Sequence, residues 1–327
     1  MKEAAYYEKT GDDKVHCHLC PQECKINPGK RGFCKVRSNH EGTLYSDIYE
    51  RVLAANLDPI EKKPLYHFHP GTSIFSVGTR GCNQRCDFCQ NWEMIETETP
   101  GTYISSDEVV RMADRGGSIG VAYTYNEPLM WFEFVLECAK KIKERGLANV
   151  LVTNGSINPE PLEELIPYID AMNIDVKSMD PEFYRKICKS KLEPVLETVR
   201  RAKRSCHIEL TNLIIPTLND SDEMLAELID FVAGLGRDVP LHFSAYYPCY
   251  KMTIEATPVE TLQKAYEMAA QKLDYVYLGN VRAQDAGTSC CPSCGEKVVE
   301  RDGYITRVVG MDEGRCANCG NVLPFVV

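Results

Sequence analysis

Three cysteines in the stretch Gly81-Cys82-Asn83-Gln84-Arg85-Cys86-Asp87-Phe88-Cys89 are spaced to hold an iron-sulfur cluster with one ligand too few. Three thiolates can bind three irons of a [4Fe-4S] cube, which leaves the fourth iron open to a small ligand and therefore reactive. The segment follows a β-type run, Thr72-Ser73-Ile74-Phe75-Ser76-Val77-Gly78, and lies in a glycine-flanked loop able to wrap a cluster. On spacing alone a zinc knuckle or a redox thiol pair is the alternative. Neither a His nor a fourth Cys follows nearby, whereas a structural zinc site wants four ligands.

Two further cysteine sets flank this loop. Cys17, Cys20, Cys24 and Cys34 supply four thiolates near the N-terminus, with His16 and His18 beside them. A CxxC pair with a distant fourth cysteine favours zinc, and an auxiliary [4Fe-4S] cluster is the alternative. Near the C-terminus, Cys291-Pro292-Ser293-Cys294-Gly295 and Cys316-Ala317-Asn318-Cys319-Gly320 are two CxxC knuckles separated by a hairpin-like run from Lys297 to Arg315. That is zinc-ribbon spacing, so a tetrahedral four-thiolate zinc is expected there; a rubredoxin-type iron would use the same ligands. Cys290 stands outside this set, and Cys138, Cys188 and Cys206 fit helices or strand starts without needing a function. Cys249 reads either as a packed thiol or as a ligand or hydrogen-atom donor at the site.

The elements that must carry these groups follow from periodicity. From about residue 70 to 285, β-type runs alternate with helical ones, the pattern of a parallel sheet with crossover helices. The strands are expected at Ser73 to Val77, Ile119 to Thr124, Asn149 to Thr153, Ala171 to Val176, His207 to Ile215, Leu241 to Ala245 and Tyr275 to Leu278. Helices are expected at Pro128 to Arg145, Glu193 to Arg204, Ser221 to Leu235 and Pro258 to Lys272. The fold class is thus α/β, a partial (β/α) barrel with its site at the C-terminal strand ends. It would span residues 70–285, between an N-terminal Cys-rich metal module (1–69) and a C-terminal zinc-ribbon-like module (286–327).

Composition narrows the class of function. The 327 residues are 44% hydrophobic, enough to fill one core, and no apolar run approaches membrane-spanning length. The N-terminus lacks the apolar block of a secretory signal, so sixteen cysteines read as metal ligands in a reducing cytoplasm rather than as disulfides. A formal net charge of -10 argues against a broad nucleic-acid surface and leaves a small molecule or a protein as the easier substrate class.

Strand ends hold the second tier of candidates. Thr124-Tyr125-Asn126-Glu127-Pro128 reads locally as a helix start, with Asn126 capping and Pro128 opening the helix. Thr153-Asn154-Gly155 closes the third strand, and in Asn173-Ile174-Asp175-Val176-Lys177 strand alternation puts Asp175 and Lys177 on one face, where they could form a structural ion pair.

Cys82, Cys86 and Cys89, with aromatic Phe88 before the last, resemble the CxxxCx(aromatic)C signature of radical S-adenosylmethionine (SAM) enzymes. The resemblance implies a [4Fe-4S] cluster whose open iron is chelated by SAM, reductive cleavage of SAM to a 5′-deoxyadenosyl radical, and hydrogen abstraction from a substrate. It also implies an electron donor such as flavodoxin or ferredoxin. Glu127 matches the Glu of the family's Gly-Gly-Glu motif, which binds the methionine amino group. Thr153-Asn154-Gly155 and Asp175-Val176-Lys177 are similar to motifs of glycyl-radical activating enzymes that hold the methionine moiety, and Leu213-Ile214-Ile215-Pro216 is similar to their run near the adenosine. The SAM-binding set implied is Phe88, Glu127, Asn154, Asp175 and Lys177. Two departures stand out: Val152 replaces an Asp before Thr-Asn-Gly, and Tyr247 stands where a His is usual.

Over nearly its full length the chain resembles the radical SAM component of the AmmeMemoRadiSam system, a group related to pyruvate formate-lyase activating enzymes. That implies an oxidoreductase-type radical enzyme acting on a protein, as a glycyl-radical activase does, or on a small molecule or other macromolecule, with system partners. A metal-dependent interaction protein without catalysis is the alternative from another class. The resemblance names no substrate.

Overall fold

The computed structural model describes residues 1–281 and 286–327. Its centre is an eight-stranded sheet, and the runs rich in β-branched and aromatic residues form it. In chain order the strands are β1 (Ala54–Pro59), β2 (Ser73–Gly78), β3 (Gly120–Tyr123), β4 (Ala148–Thr153), β5 (Ala171–Asp175), β6 (His207–Ile214), β7 (Leu241–Ala245) and β8 (Val276–Gly279). Each pairs with its sequence neighbour. The contacts from β2 to β8 are all parallel, and β1 pairs antiparallel with β2. All seven expected parallel strands are present. The edge strand β1 was not foreseen, because Ala-Ala-Asn-Leu-Asp-Pro carries too little apolar alternation to read as a strand.

The crossovers contain α1 (Ser106–Arg115), α2 (Phe132–Glu144), α3 (Pro159–Leu165), α4 (Glu193–Lys203), α5 (Asp222–Leu235) and α6 (Val259–Ala270). Their starts follow local chemistry. Ser105 and Glu108 form a reciprocal capping box on α1, and the Ser221 side chain accepts the Met224 N–H at the start of α5. Apolar stripes such as Val135, Cys138, Ala139 and Ile142 on α2 pack on the sheet, whose strands are buried on both faces as parallel strands require. Among the described residues no helix is long and apolar enough to cross a membrane.

Before β1 the chain folds into short antiparallel strands, which include Tyr7–Thr10, Lys14–Cys17, Arg37–His40 and Thr43–Ser46. Buried Arg37 fastens this segment to α2 through an ion pair with Glu133 and a bond to the Ala5 carbonyl, 2.9 Å. After β8 a second small core, with Tyr275, Tyr277, Cys291, Val298, Val299, Cys316, Leu323 and Phe325, carries the hairpin Lys297–Asp302/Ile305–Val308. The chain end returns to the barrel: Val326 bridges Phe68, and Phe325 stacks on His67 with centroids 3.9 Å apart. The expected boundary at residue 285 lies outside the described residues.

One glycine ties the N-terminal segment to the central loop. Gly81 has φ +85°, and a Cβ there would lie 2.4 Å from Val36 Cγ1 and 2.9 Å from the Cys34 carbonyl oxygen. Gly117 has a similar φ, +66°, but faces open space. Gly81→Ala should therefore cost on the order of 2–4 kcal/mol against about 1 kcal/mol for Gly117→Ala in denaturant unfolding. Equal losses would contradict the close approach.

Candidate functional site

A cavity of about 1600 Å³ opens at the C-terminal ends of the parallel strands. Its lining draws one or more residues from almost every strand end: Cys82, Cys86, Phe88 and Cys89 after β2, Glu127 after β3, Asn154 after β4, Asp175 and Lys177 from β5, Leu213 from β6, Tyr247 after β7 and Asn280 after β8. Parallel strands in register put these ends on one side of the sheet, so residues far apart in sequence meet.

The cysteine loop is held from behind by polar groups. Asn126 Oδ1 accepts the Thr79 N–H at 3.1 Å, and Asn126 Nδ2 donates to the Gly81 carbonyl at 3.0 Å. The local reading of Asn126 as a helix cap is corrected here. Glu127 is the cap, its Oε1 accepting the Leu129 N–H at 3.1 Å, because Asn126 is spent on the loop. Cys82 is buried and accepts from the Gln84 N–H at 3.3 Å and from Asn154 Nδ2 at 3.5 Å. Arg85 and Asp87 N–H groups donate to the Cys188 and Ile187 carbonyls, which sets Cys188 beside Cys86. The sequence offered no signal for that neighbour, because a π-helical turn, Tyr184–Cys188, positions it.

Among the described residues, no three of Cys82, Cys86 and Cys89 and the acidic and His groups around them gather their ligand atoms within 4.8 Å of one another. A single tetrahedral ion bound at about 2.3 Å would hold its sulfurs roughly 3.8 Å apart. Three thiols without a fourth are short of the four ligands of a structural zinc site, and on a [4Fe-4S] cube they would leave one corner for another ligand.

Glu127 is the strongest electrostatic feature. It is 2% exposed, yet its oxygens accept from Thr153 Oγ1 (2.7 Å), the Asn154 N–H (2.8 Å) and the Leu129 N–H (3.1 Å). No Lys, Arg or His among the described residues pairs with it. Burial pushes its carboxyl up to about 7, against the pull of those three donors, and Asp175 adds to the rise. A buried carboxylate without a cation, facing a cavity, is matched by a ligand that brings an ammonium group.

Across the cavity, Lys177 Nζ lies 2.9 Å from Asp175 Oδ2 and 5.8 Å from the Phe88 ring centroid. Burial opposes the charge of Lys177, but Asp175 outweighs it and holds the ammonium well above its ordinary value. The same-face reading of the two residues holds, and both line the cavity. Asn154 joins the two sides: its N–H meets Glu127 while its Nδ2 reaches Cys82 and Asn83 Oδ1 (3.0 Å). Gly155 must follow it, since φ is +67° and a Cβ would press on Ile174 Cγ2 at 2.9 Å. Cys249 sits differently. Its thiol donates to the Cys89 carbonyl at 3.5 Å, and it is absent from the cavity lining.

Sequence reasoning missed a buried network on the cavity floor. Glu209 accepts from the His67 N–H at 2.7 Å and from His207 and His242 Nε2 at 3.0 and 2.6 Å; against burial, the two imidazoles hold its carboxyl well below the usual range. His67 Nε2 meets Tyr277 Oη at 2.6 Å, which continues to Ser289 and Arg301 in the C-terminal module. His207 and Glu209, two apart on β6, were a weak signal that this face is polar. In that module the Cys291–Cys319 and Cys294–Cys316 sulfurs are 3.7 and 3.6 Å apart, a four-thiol group at single-ion span that could bind a metal.

Comparison with known proteins agrees with this geometry. The radical SAM superfamily profile matches residues 76–232. An uncharacterized protein of Methanocaldococcus jannaschii is 44% identical, with both chains covered in full. The pyruvate formate-lyase-activating enzyme of Listeria monocytogenes is 27% identical over 212 residues, 59% of this chain and 84% of that one. Among solved structures, Streptococcus suis SuiB bound to S-adenosylmethionine has a TM-score of 0.51 at 13% identity, covering 64% of this chain and 52% of that one, which shows the fold alone. The profile match and the parallel sheet with its cysteine loop lead to one conclusion: this chain contains a radical SAM domain with homology to pyruvate formate-lyase activating enzymes, and the family implies a [4Fe-4S] cluster and SAM.

Proposed function

We propose that this protein reductively cleaves SAM at a cluster held by Cys82, Cys86 and Cys89 and directs the resulting radical at a protein segment, within the AmmeMemoRadiSam group. The observation that carries the reading is Glu127, a buried carboxylate without a cation beside a three-thiol loop. The cluster, when bound, supplies one electron to SAM and thereby the hydrogen-abstracting radical.

The chain's own residues bind, orient and exclude water. Glu127 accepts the ammonium of the methionine end, and Lys177 offers its remaining donors to a carboxylate while Asp175 and the Phe88 ring restrain it. Asn154 keeps Glu127 and Cys82 in fixed relation. Leu213 supplies an apolar wall for the adenosine. The cavity, about 1600 Å³, has to seat the cluster and SAM and still opens outward, which leaves its mouth free for a protein segment. Relatives that act on proteins give the same direction, since the 4-hydroxyphenylacetate decarboxylase activating enzyme of Clostridium scatologenes is 31% identical over 120 residues. A ferredoxin or flavodoxin would serve as electron donor. The four C-terminal cysteines hold zinc in this reading, which fixes the hairpin whose Asp302, Gly303 and Tyr304 form part of the cavity wall.

The anaerobically reconstituted protein, given SAM and dithionite, should form 5′-deoxyadenosine, and Cys82→Ala should abolish it; absence of the product from the wild type would overturn the proposal. Glu127→Gln should weaken SAM binding by about tenfold or more, measured by calorimetry. In the ligand-free protein the carboxyl value of about 7 lies above the ordinary 4.5. The folded state then keeps a proton that the unfolded chain gives up, and wild-type stability should fall as pH rises from 4.5 to 7. Glu127→Gln should remove that component; an identical pH profile in both proteins would refute the assignment. Cys294→Ser should lower bound zinc by about one equivalent per chain and leave the iron content unchanged.

A further inference from the structure

Away from the cavity, the outer face of the N-terminal hairpin gathers ligands of a different kind. The strands Tyr7–Thr10 and Lys14–Cys17 pair antiparallel, with Glu8 directly across from His16. Alternation along Lys14–Cys17 turns Val15 and Cys17 inward, where Cys17 lines a small pocket with Cys20, Cys24 and Cys34, and leaves His16 on the opposite face. His18, two residues on, joins His16 there, the ring centroids 4.1 Å apart. Glu8 is exposed and the two rings are partly buried, so the group is open to solvent and faces away from the thiols.

Its atoms meet as a cation requires. Glu8 Oε1 lies 3.5 Å from His16 Nδ1 and 3.5 Å from His18 Nε2, and each of the three residues brings a ligand atom within 4.8 Å of the others. Among the described residues, the C-terminal cysteines are the other group that gathers so closely. A tetrahedral ion with bonds of about 2.0–2.1 Å to imidazole and carboxylate holds its ligand atoms roughly 3.4 Å apart. The far edges of both rings face Glu23: its Oε2 accepts from His18 Nδ1 at 2.8 Å and lies 3.1 Å from His16 Nε2. A carboxylate behind an imidazole fixes the tautomer whose other nitrogen presents a lone pair to a metal. Asn158 Nδ2 in turn holds both, donating to Glu23 Oε1 at 2.5 Å and to the His18 carbonyl at 2.8 Å. Protonating both rings instead would set two imidazolium charges 4.1 Å apart, where they repel. Among the described residues no Lys or Arg pairs with Glu8 or Glu23.

We propose that Glu8, His16 and His18 bind one divalent transition-metal ion of the zinc class, through a Glu8 oxygen, His16 Nδ1 and His18 Nε2, with water completing the coordination. Imidazole ligands select such an ion over calcium and magnesium, which take oxygen ligands. The ion joins the strand Tyr7–Thr10 to the loop at His18, and Asn158 carries that link to the segment after β4. The site does not rest on the proposed function.

The test is zinc titration by calorimetry of the full chain, reconstituted anaerobically with iron, sulfide and zinc and freed of loosely held zinc by gel filtration. The wild type should take up about one further zinc per chain at micromolar affinity. Glu8→Gln, at an exposed position of the hairpin, should weaken that step about tenfold or more while the iron and the zinc already held stay as in the wild type. With cobalt(II) added in place of the further zinc, X-ray absorption at the cobalt edge should show nitrogen and oxygen neighbours. No uptake by the wild type in zinc excess would overturn the site. So would an unchanged affinity in Glu8→Gln or sulfur neighbours round the cobalt, either of which puts the ion on cysteines.

Discussion

A single hydrogen-bonded seam organises the top of this barrel, running from Glu127 through Asn154 to Cys82 and Asn83. Glu127 caps the turn after β3, takes the Asn154 N–H at the end of β4, and leaves a buried carboxyl group facing the cavity. Ionising it in the ligand-free fold costs on the order of 3 kcal/mol, because burial pushes the carboxyl from 4.5 up to about 7. The Asn154 side chain carries the same seam to the cysteine loop, which Asn126 clamps from the other side. Strand ends, loop and carboxylate are therefore one mechanical unit.

The three cysteine sets divide by geometry rather than by number. The C-terminal four gather at single-ion span and sit on a small core that the chain terminus locks onto His67 and Phe68. The central three and the N-terminal four lie on either side of a wall made by Gly81 and Asn83. The buried Glu209 network lies under the cavity and connects it through Tyr277 and Ser289 to the C-terminal hairpin, so that module belongs mechanically to the site.

Much of this was legible in the sequence. Apolar β-type runs gave all seven parallel strands, since strands buried on both faces leave little choice of residue. The thiol spacing, the strand-end position of Asp175 and Lys177, and the importance of Glu127 could be read from local pattern and resemblance. The rest depended on contacts across long separations. Asn126 and Glu127 are adjacent potential caps, and only the position of the loop at Thr79 to Gly81 decides which one is free to cap. Cys188 meets Cys86 over a hundred positions away because a π-helical turn carries it there. Glu209, His67 and His242 form one network from three separated segments, and β1 is a strand because β2 offers it an edge rather than because its residues favour one.

The central claim is that the loop at Cys82 carries a cluster whose open iron takes SAM beside Glu127. It is tested most directly by electron paramagnetic resonance of the reduced protein, recorded with and without SAM. The account predicts a [4Fe-4S] signal whose g-values shift on adding SAM, and whose shift is lost in the Cys82→Ala variant. A reduced spectrum identical with and without SAM in the wild type would contradict it.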